Sequence, residues 1–99
     1  MDLEPNSDAA VIGRIRGGEI DAFEVLMRRY NQRVYRAVRS ILSDEDEVED
    51  VMQEAYVRAF THLADFEGRA AFSTWLVRIA VHEALARARK SRRFDPLSD

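Results

Sequence analysis

Ser73, Thr74 and Trp75 stand just ahead of Arg78, His82, Arg87, Arg89, Lys90, Arg92 and Arg93, so an aromatic ring and two hydroxyls open onto a run of cations. Indole rings bind unpaired bases by stacking, at roughly 1–3 kcal/mol per base, while Arg and Lys neutralise the neighbouring phosphates. A loop over residues 65–71, with Gly68 at its centre and Phe66 and Arg69 on either side, precedes this segment. Such a loop could hold a base extruded from its stack, provided that the site is snug enough to offset a few kcal/mol of lost stacking and pairing. Spacing alone leaves a second reading open. In it Trp75 is a core residue, and the cations are the solvated end of a helix whose dipole favours positive charge there.

Other groups of polar residues fall short of chemistry. His62 and His82 sit on different predicted helices with no further His or Cys at ligand spacing, so no metal site is expected. The acidic run over residues 44–50 lacks the central Gly and closing Glu of a calcium loop. Helix capping and solvation explain it better. Gly17 and Gly18 are not followed by the further Gly and Lys of a phosphate-binding loop. Ser73 and Thr74 have no His and carboxylate in a supporting pattern, and the chain has no Cys to serve as a thiolate nucleophile or disulfide partner. The expectation is therefore no enzyme and no cofactor.

Ninety-nine residues, 46% apolar and 33% charged, specify one domain with a modest core. The net charge of -3 conceals a sharp division: residues 43–67 carry -8 and residues 68–93 carry +6. A polyanion is repelled by the first block and attracted by the second, so the overall charge is a poor guide to partners. Fourteen of the fifteen basic residues are Arg, whose planar donor fork suits phosphates and base edges. No apolar stretch approaches the ~20 residues of a membrane span, and the acidic start of the chain does not read as a signal peptide. With no Cys to protect, the composition is compatible with a reducing cytoplasm.

All of the periodicity is helical. No sustained alternation and no Asn-Gly or Asp-Gly turn is present. A first helix is predicted over Asp8–Arg16 with Ser7 as its N-cap, stopped by Gly17 and Gly18. A second, over residues 20–42, places Phe23, Leu26, Met27, Tyr30, Val34, Val38 and Ile41 on one stripe. The third starts near Ser43 or Asp44, where carboxylates meet the positive end of the helix dipole. It turns Val48, Val51, Met52, Ala55, Tyr56, Ala59, Phe60 and Leu63 inward. The fourth, over residues 72–91, buries Phe72, Trp75, Leu76, Ile79 and Ala80, then fades into Ala84, Leu85 and Ala88. The fold expected is an all-α, compact bundle of about four helices spanning residues 8–93, with a flexible N-terminus at 1–7 and the start of a linker at 94–99.

Three blocks carry a family resemblance: Asp50-Val51-Met52-Gln53-Glu54-Ala55-Tyr56-Val57-Arg58-Ala59-Phe60, then Phe66-Glu67-Gly68, then Phe72-Ser73-Thr74-Trp75-Leu76-Val77-Arg78-Ile79-Ala80. In order and interval they resemble conserved region 2 of bacterial sigma factors, specifically the extracytoplasmic-function group. Asp21-Ala22-Phe23 and Tyr30 look like the opening of the same domain, so the resemblance covers roughly residues 8–93.

The resemblance implies two surfaces. Asp50, Gln53 and Glu54 match an aspartate-x-x-glutamine-glutamate pattern that docks on the clamp helices of the largest subunit of RNA polymerase core. The loop, with Phe66 and Arg69, would rim a pocket for a base of the promoter non-template strand in the minus-ten element. Ser73, Thr74 and Trp75 would lie at the fork between duplex and single strand, with Arg78, Arg87, Arg89 and Lys90 on phosphates. His82 stands where many members have Asn, which puts the base read by that face in doubt. The implied function is promoter recognition and melting for transcription initiation, in the cytoplasm and under an anti-sigma factor, with no direct membrane insertion. The group also carries a second helical domain that these residues lack, so an excised piece ending in a linker is expected. The alternative is a sigma-like decoy that occupies an anti-sigma factor without touching DNA.

Overall fold

The computed structural model describes residues 6–94, and among these it contains helices and no strand: α1 (Asp8–Arg16), α2 (Phe23–Arg39), α3 (Glu45–Thr61) and α4 (Phe72–Phe94), with short 3-10 turns at Ile20–Ala22 and Leu63–Asp65. The helix starts are set by local chemistry. Ser7 Oγ accepts the Ala10 N–H at 3.1 Å, and Asp44 Oδ1 accepts the N–H groups of Asp46 (2.8 Å) and Glu47 (3.2 Å). Each cap satisfies donors that the first helical turn leaves without a partner. Gly18, at φ 110°, takes the chain out of α1 through a conformation that side-chain-bearing residues rarely adopt.

Three boundaries differ from the sequence expectation. The predicted second helix is a 3-10 turn followed by α2, and it ends at Arg39 because the chain must become extended at Asp44 to cap α3. At the far end, α4 runs on to Phe94, past the expected end at Ser91. No Gly or Pro interrupts it before Pro96, and cations in a last turn suit the dipole. Phe94 thus belongs to the helix. The rest of the expected linker (residues 95–99) and most of the expected flexible start (residues 1–5) lie outside the described residues.

One core joins all four helices. Val11, Leu26, Val34, Val38, Val51, Ala55, Ala59, Ala80 and Ala84 are each fully buried. The alanines let α3 and α4 approach closely, since neither backbone is held off by a large side chain. Two residues predicted to face inward do not. Phe60 is 40% exposed, in a T-shaped contact with Phe23 (centroids 5.4 Å apart), and Leu85 is 43% exposed. Each lies at the margin of its stripe, where helical period alone does not separate core from rim.

α3 and α4 pack antiparallel, and polar contacts stitch their seam at three levels. Ser91 Oγ donates to Glu47 Oε2 at 3.0 Å, Arg87 lies 3.5 Å from Glu54, and Arg58 Nε lies 2.6 Å from Glu83 Oε2. Across the other side of α3, the Tyr56 hydroxyl donates to Asn31 Oδ1 at 2.6 Å and ties α3 to α2. Burial pushes this phenol up to about 12. Because it ionises less readily folded than unfolded, its contribution is intact below about pH 10 and is lost as pH rises from about 10 to about 12. Urea unfolding at about pH 9 and about pH 11 should therefore show an alkaline loss of stability that is smaller in Tyr56→Phe. Separately, Leu26→Ala should cost about 3 kcal/mol at neutral pH through the cavity it leaves, measured by the same unfolding curves.

Candidate nucleic-acid interface

The segment between α3 and α4 is built around an aromatic cluster. His62 closes α3, the Leu63–Asp65 turn follows, and Phe66 then enters an extended conformation. Its ring lies 5.7 Å from Phe72 and 5.1 Å from Trp75, and Tyr30 of α2 completes the group at 6.2 Å from Phe72. Ring pairs at these separations contribute about 0.5–1.5 kcal/mol each beyond their burial. Gly68, at φ 80°, turns the chain back toward α4. The turn needs a residue without a side chain.

Two open cavities adjoin this cluster. One, about 210 Å³, is lined by residues 65–70 together with Trp75 and Arg78. The other, about 410 Å³, lies between the end of α3 and α4 and is lined by Arg58, His62, Asp65, Trp75, Arg78, Ile79, His82 and Glu83. Asp65, Trp75 and Arg78 face both. The half-buried Trp75 thus answers to both readings of its spacing: it packs on Phe66 and Phe72, and it walls two solvent-accessible cavities. Both histidines line the larger cavity, although the sequence puts them on separate helices. Among the described residues, no His, Cys, Asp and Glu side chains gather into a metal site.

The predicted phosphate-binding cations divide into two sets. Arg78, Arg89 and Lys90 are exposed and have no ion pair among the described residues, while Arg69, 88% exposed, pairs only with Glu67 at 3.1 Å. Arg87 is different. It is turned onto α3, 3.9 Å from Asp50 and 3.5 Å from Glu54, with its side chain 25% exposed. Its guanidinium is thus directed at the α3 carboxylates, unlike those of the exposed Arg78 and Arg89. Ser73 is 7% exposed in the first turn of α4, whereas Thr74 next to it is exposed. The step of about 100° between adjacent helical residues here turns Ser73 onto the core and Thr74 outward. Asp50, Gln53 and Glu54 are all exposed on α3 and line a further open cavity with Val57 and Arg58.

The family described as sigma-70 region 2 matches residues 26–94. The chain belongs to that family, in its extracytoplasmic-function group. The region 2 domain is 40% identical over 81 residues to the ECF RNA polymerase sigma-E factor of Escherichia coli (strain K12), covering 82% of this chain and 42% of that protein. It is 35% identical over 81 residues to the ECF RNA polymerase sigma factor SigW of Bacillus subtilis (strain 168), covering 82% of this chain and 43% of that protein. The chain therefore spans less than half the length of the curated relatives it matches. A solved structure of an engineered region 2 of sigmaE in complex with GTAAAA superimposes with a TM-score of 0.81 at 35% identity, covering 95% of this chain and 99% of that one. Membership and the all-α fold agree with the sequence expectation. None of the described helices of the region 2 domain is long and apolar enough to cross a membrane.

Several residues at the interface had no sequence signal of their own. Arg58, Glu83 and His62 line the larger cavity because α3 and α4 pair at one register, and a connection of about ten residues does not dictate that register. The aromatic cluster is directly testable, because Trp75 is the only tryptophan. Phe66→Ala should shift its fluorescence to the red by opening the indole to water. The same change should cost about 1–2 kcal/mol of stability in a denaturant titration.

Proposed function

We propose that the chain is the promoter-recognition part of a sigma factor, which binds RNA polymerase core through α3 and captures the non-template strand of the minus-ten element through the loop and α4. The observation that carries this reading is the small cavity between residues 65–70 and Trp75, at the start of a helix whose exposed cations Arg78, Arg89 and Lys90 continue away from it. A base entering the cavity would meet the indole and the Phe66 ring, and the flanking phosphates would lie over the arginines. Stacking and charge then divide the work: the rings retain a base and the cations supply salt-dependent affinity. The structural relative bound to GTAAAA supports this use of the domain.

Asp50, Gln53 and Glu54 on α3 offer polymerase core an acidic, hydrated face. Electrostatic steering toward a basic coiled coil such as the clamp helices suits such a surface, and exposed carboxylates lose little hydration on docking. His82, exposed beside Arg78 and Ile79, would contribute a donor or an acceptor to a base edge depending on its tautomer. Control by an anti-sigma factor belongs to the same proposal. The exposed cations and the accessible indole support a DNA-binding domain over a decoy that needs only the anti-sigma surface.

The test is binding to purified polymerase core, followed by binding of the pair to a fluorescent minus-ten non-template oligonucleotide at two salt concentrations. Gln53→Ala with Glu54→Ala should weaken core binding about tenfold or more with helix content unchanged, a loss typical of a central interface contact. Trp75→Ala should weaken oligonucleotide capture about tenfold or more at unchanged core affinity, and Arg78→Ala should reduce the salt slope by about one. Core affinity that ignores the α3 substitutions, or capture that ignores Trp75, would overturn the corresponding half.

A further inference from the structure

α1 is remote in sequence from the loop, yet its last turn holds the loop's root. Arg16 Nη2 donates to the carbonyl oxygens of Leu63 (2.9 Å) and Phe66 (2.7 Å), partners 47 and 50 residues away. The Leu63 carbonyl also accepts the Phe66 N–H at 3.1 Å. Leu63 opens the Leu63–Asp65 turn and Phe66 follows it, so the Leu63 carbonyl has a lone pair left beside the Phe66 N–H, and the Phe66 carbonyl takes no backbone donor among the described residues. A cation carrying N–H groups satisfies both needs, and charge-assisted bonds of this kind are roughly twice as strong as neutral ones.

Beyond Phe66 the anchoring stops. Among the described residues, the backbone groups of residues 67–70 make no hydrogen bond with other backbone, and the Glu67–Arg69 pair there is exposed to solvent. The loop therefore has a fastened root and an unfastened tip. The fastened residue, Phe66, is also the one whose ring packs 5.1 Å from Trp75 and lines the small cavity.

We propose that Arg16 is the positioning residue of the base-capture loop. By holding the Phe66 carbonyl it sets where the Phe66 ring meets Trp75, and so fixes the mouth of the cavity before a base arrives. This assignment rests on the reading of that cavity as a base site. Arg16 itself acts through the loop backbone and makes no contact with the base.

The probe is the hexanucleotide GTAAAA, intact and in versions with one abasic position, bound to the chain on polymerase core at two salt concentrations. In the unsubstituted chain one abasic version should bind markedly more weakly than the others. Arg16→Ala should lose about tenfold on the intact probe and little on that version, with an unchanged salt slope. Arg16→Lys, which keeps a charged donor, should recover most of the loss. Hydrogen exchange at the Phe66 amide should quicken in Arg16→Ala and not in Arg16→Lys, while melting temperature checks that both variants fold. Equal losses on all probes with a slope reduced by about one would make Arg16 a phosphate contact and overturn the assignment. Unchanged discrimination and unchanged exchange in folded Arg16→Ala would overturn it too. If the unsubstituted chain already binds every probe equally or fails to bind, the base-capture reading itself falls, a result distinct from any confined to the variants.

Discussion

The antiparallel seam between α3 and α4 is the interaction on which the other features depend. Its apolar part is made of small residues, with Ala55, Ala59, Ala80 and Ala84 fully buried, so the two helices lie close and their side-chain register is narrowly defined. Its polar part is a succession of pairs from Glu47–Ser91 through Glu54–Arg87 to Arg58–Glu83. Each pair keeps one partner open to solvent, and ion pairs that water still reaches add little stability singly. Their value lies in register, because a slip of either helix by one turn would separate every pair and expose the alanines together.

With that register set, the loop joining the helices has little freedom at its root. Leu63 is buried, Phe66 packs between Phe72 and Trp75, and α1 adds Arg16 from the outside. The cluster is therefore held on one side by the core and on the other by a charge-assisted bond to backbone. The indole of Trp75 is partly core and partly wall, and this dual placement is what stacking on an incoming ring requires. A wholly buried indole would be inaccessible, and a wholly exposed one would pay more rotamer entropy on binding.

The seam also governs the electrostatics. The acidic and basic blocks face each other across it, so part of the charge seen in the sequence is consumed internally. Arg87 is the clearest case, lying against Asp50 and Glu54 rather than in solvent. What remains outward is an acidic surface on α3 and a separate set of cations on α4 and the loop. The two surfaces adjoin along the helical pair, with Arg58 lining both the acidic cavity and the larger cavity beside Trp75.

Much of this was legible in the residues themselves. Helix identity followed from apolar spacing, the starts of α1 and α3 from Ser7 and Asp44, and the loop from Gly68 and the lapse in periodicity, because caps, periods and positive φ are local properties. The family was legible too, since its blocks are contiguous. Tertiary structure alone decided that Ser73 points inward while Thr74 points out, that Phe60 and Leu85 lie at the rim, and that Arg87 turns to α3. It alone placed His62 and His82 on one cavity and brought Arg16 to the carbonyls of Leu63 and Phe66. Each of these depends on the angle and register at which two helices meet. Those are settled by packing summed over the whole core, and no window of sequence contains that sum.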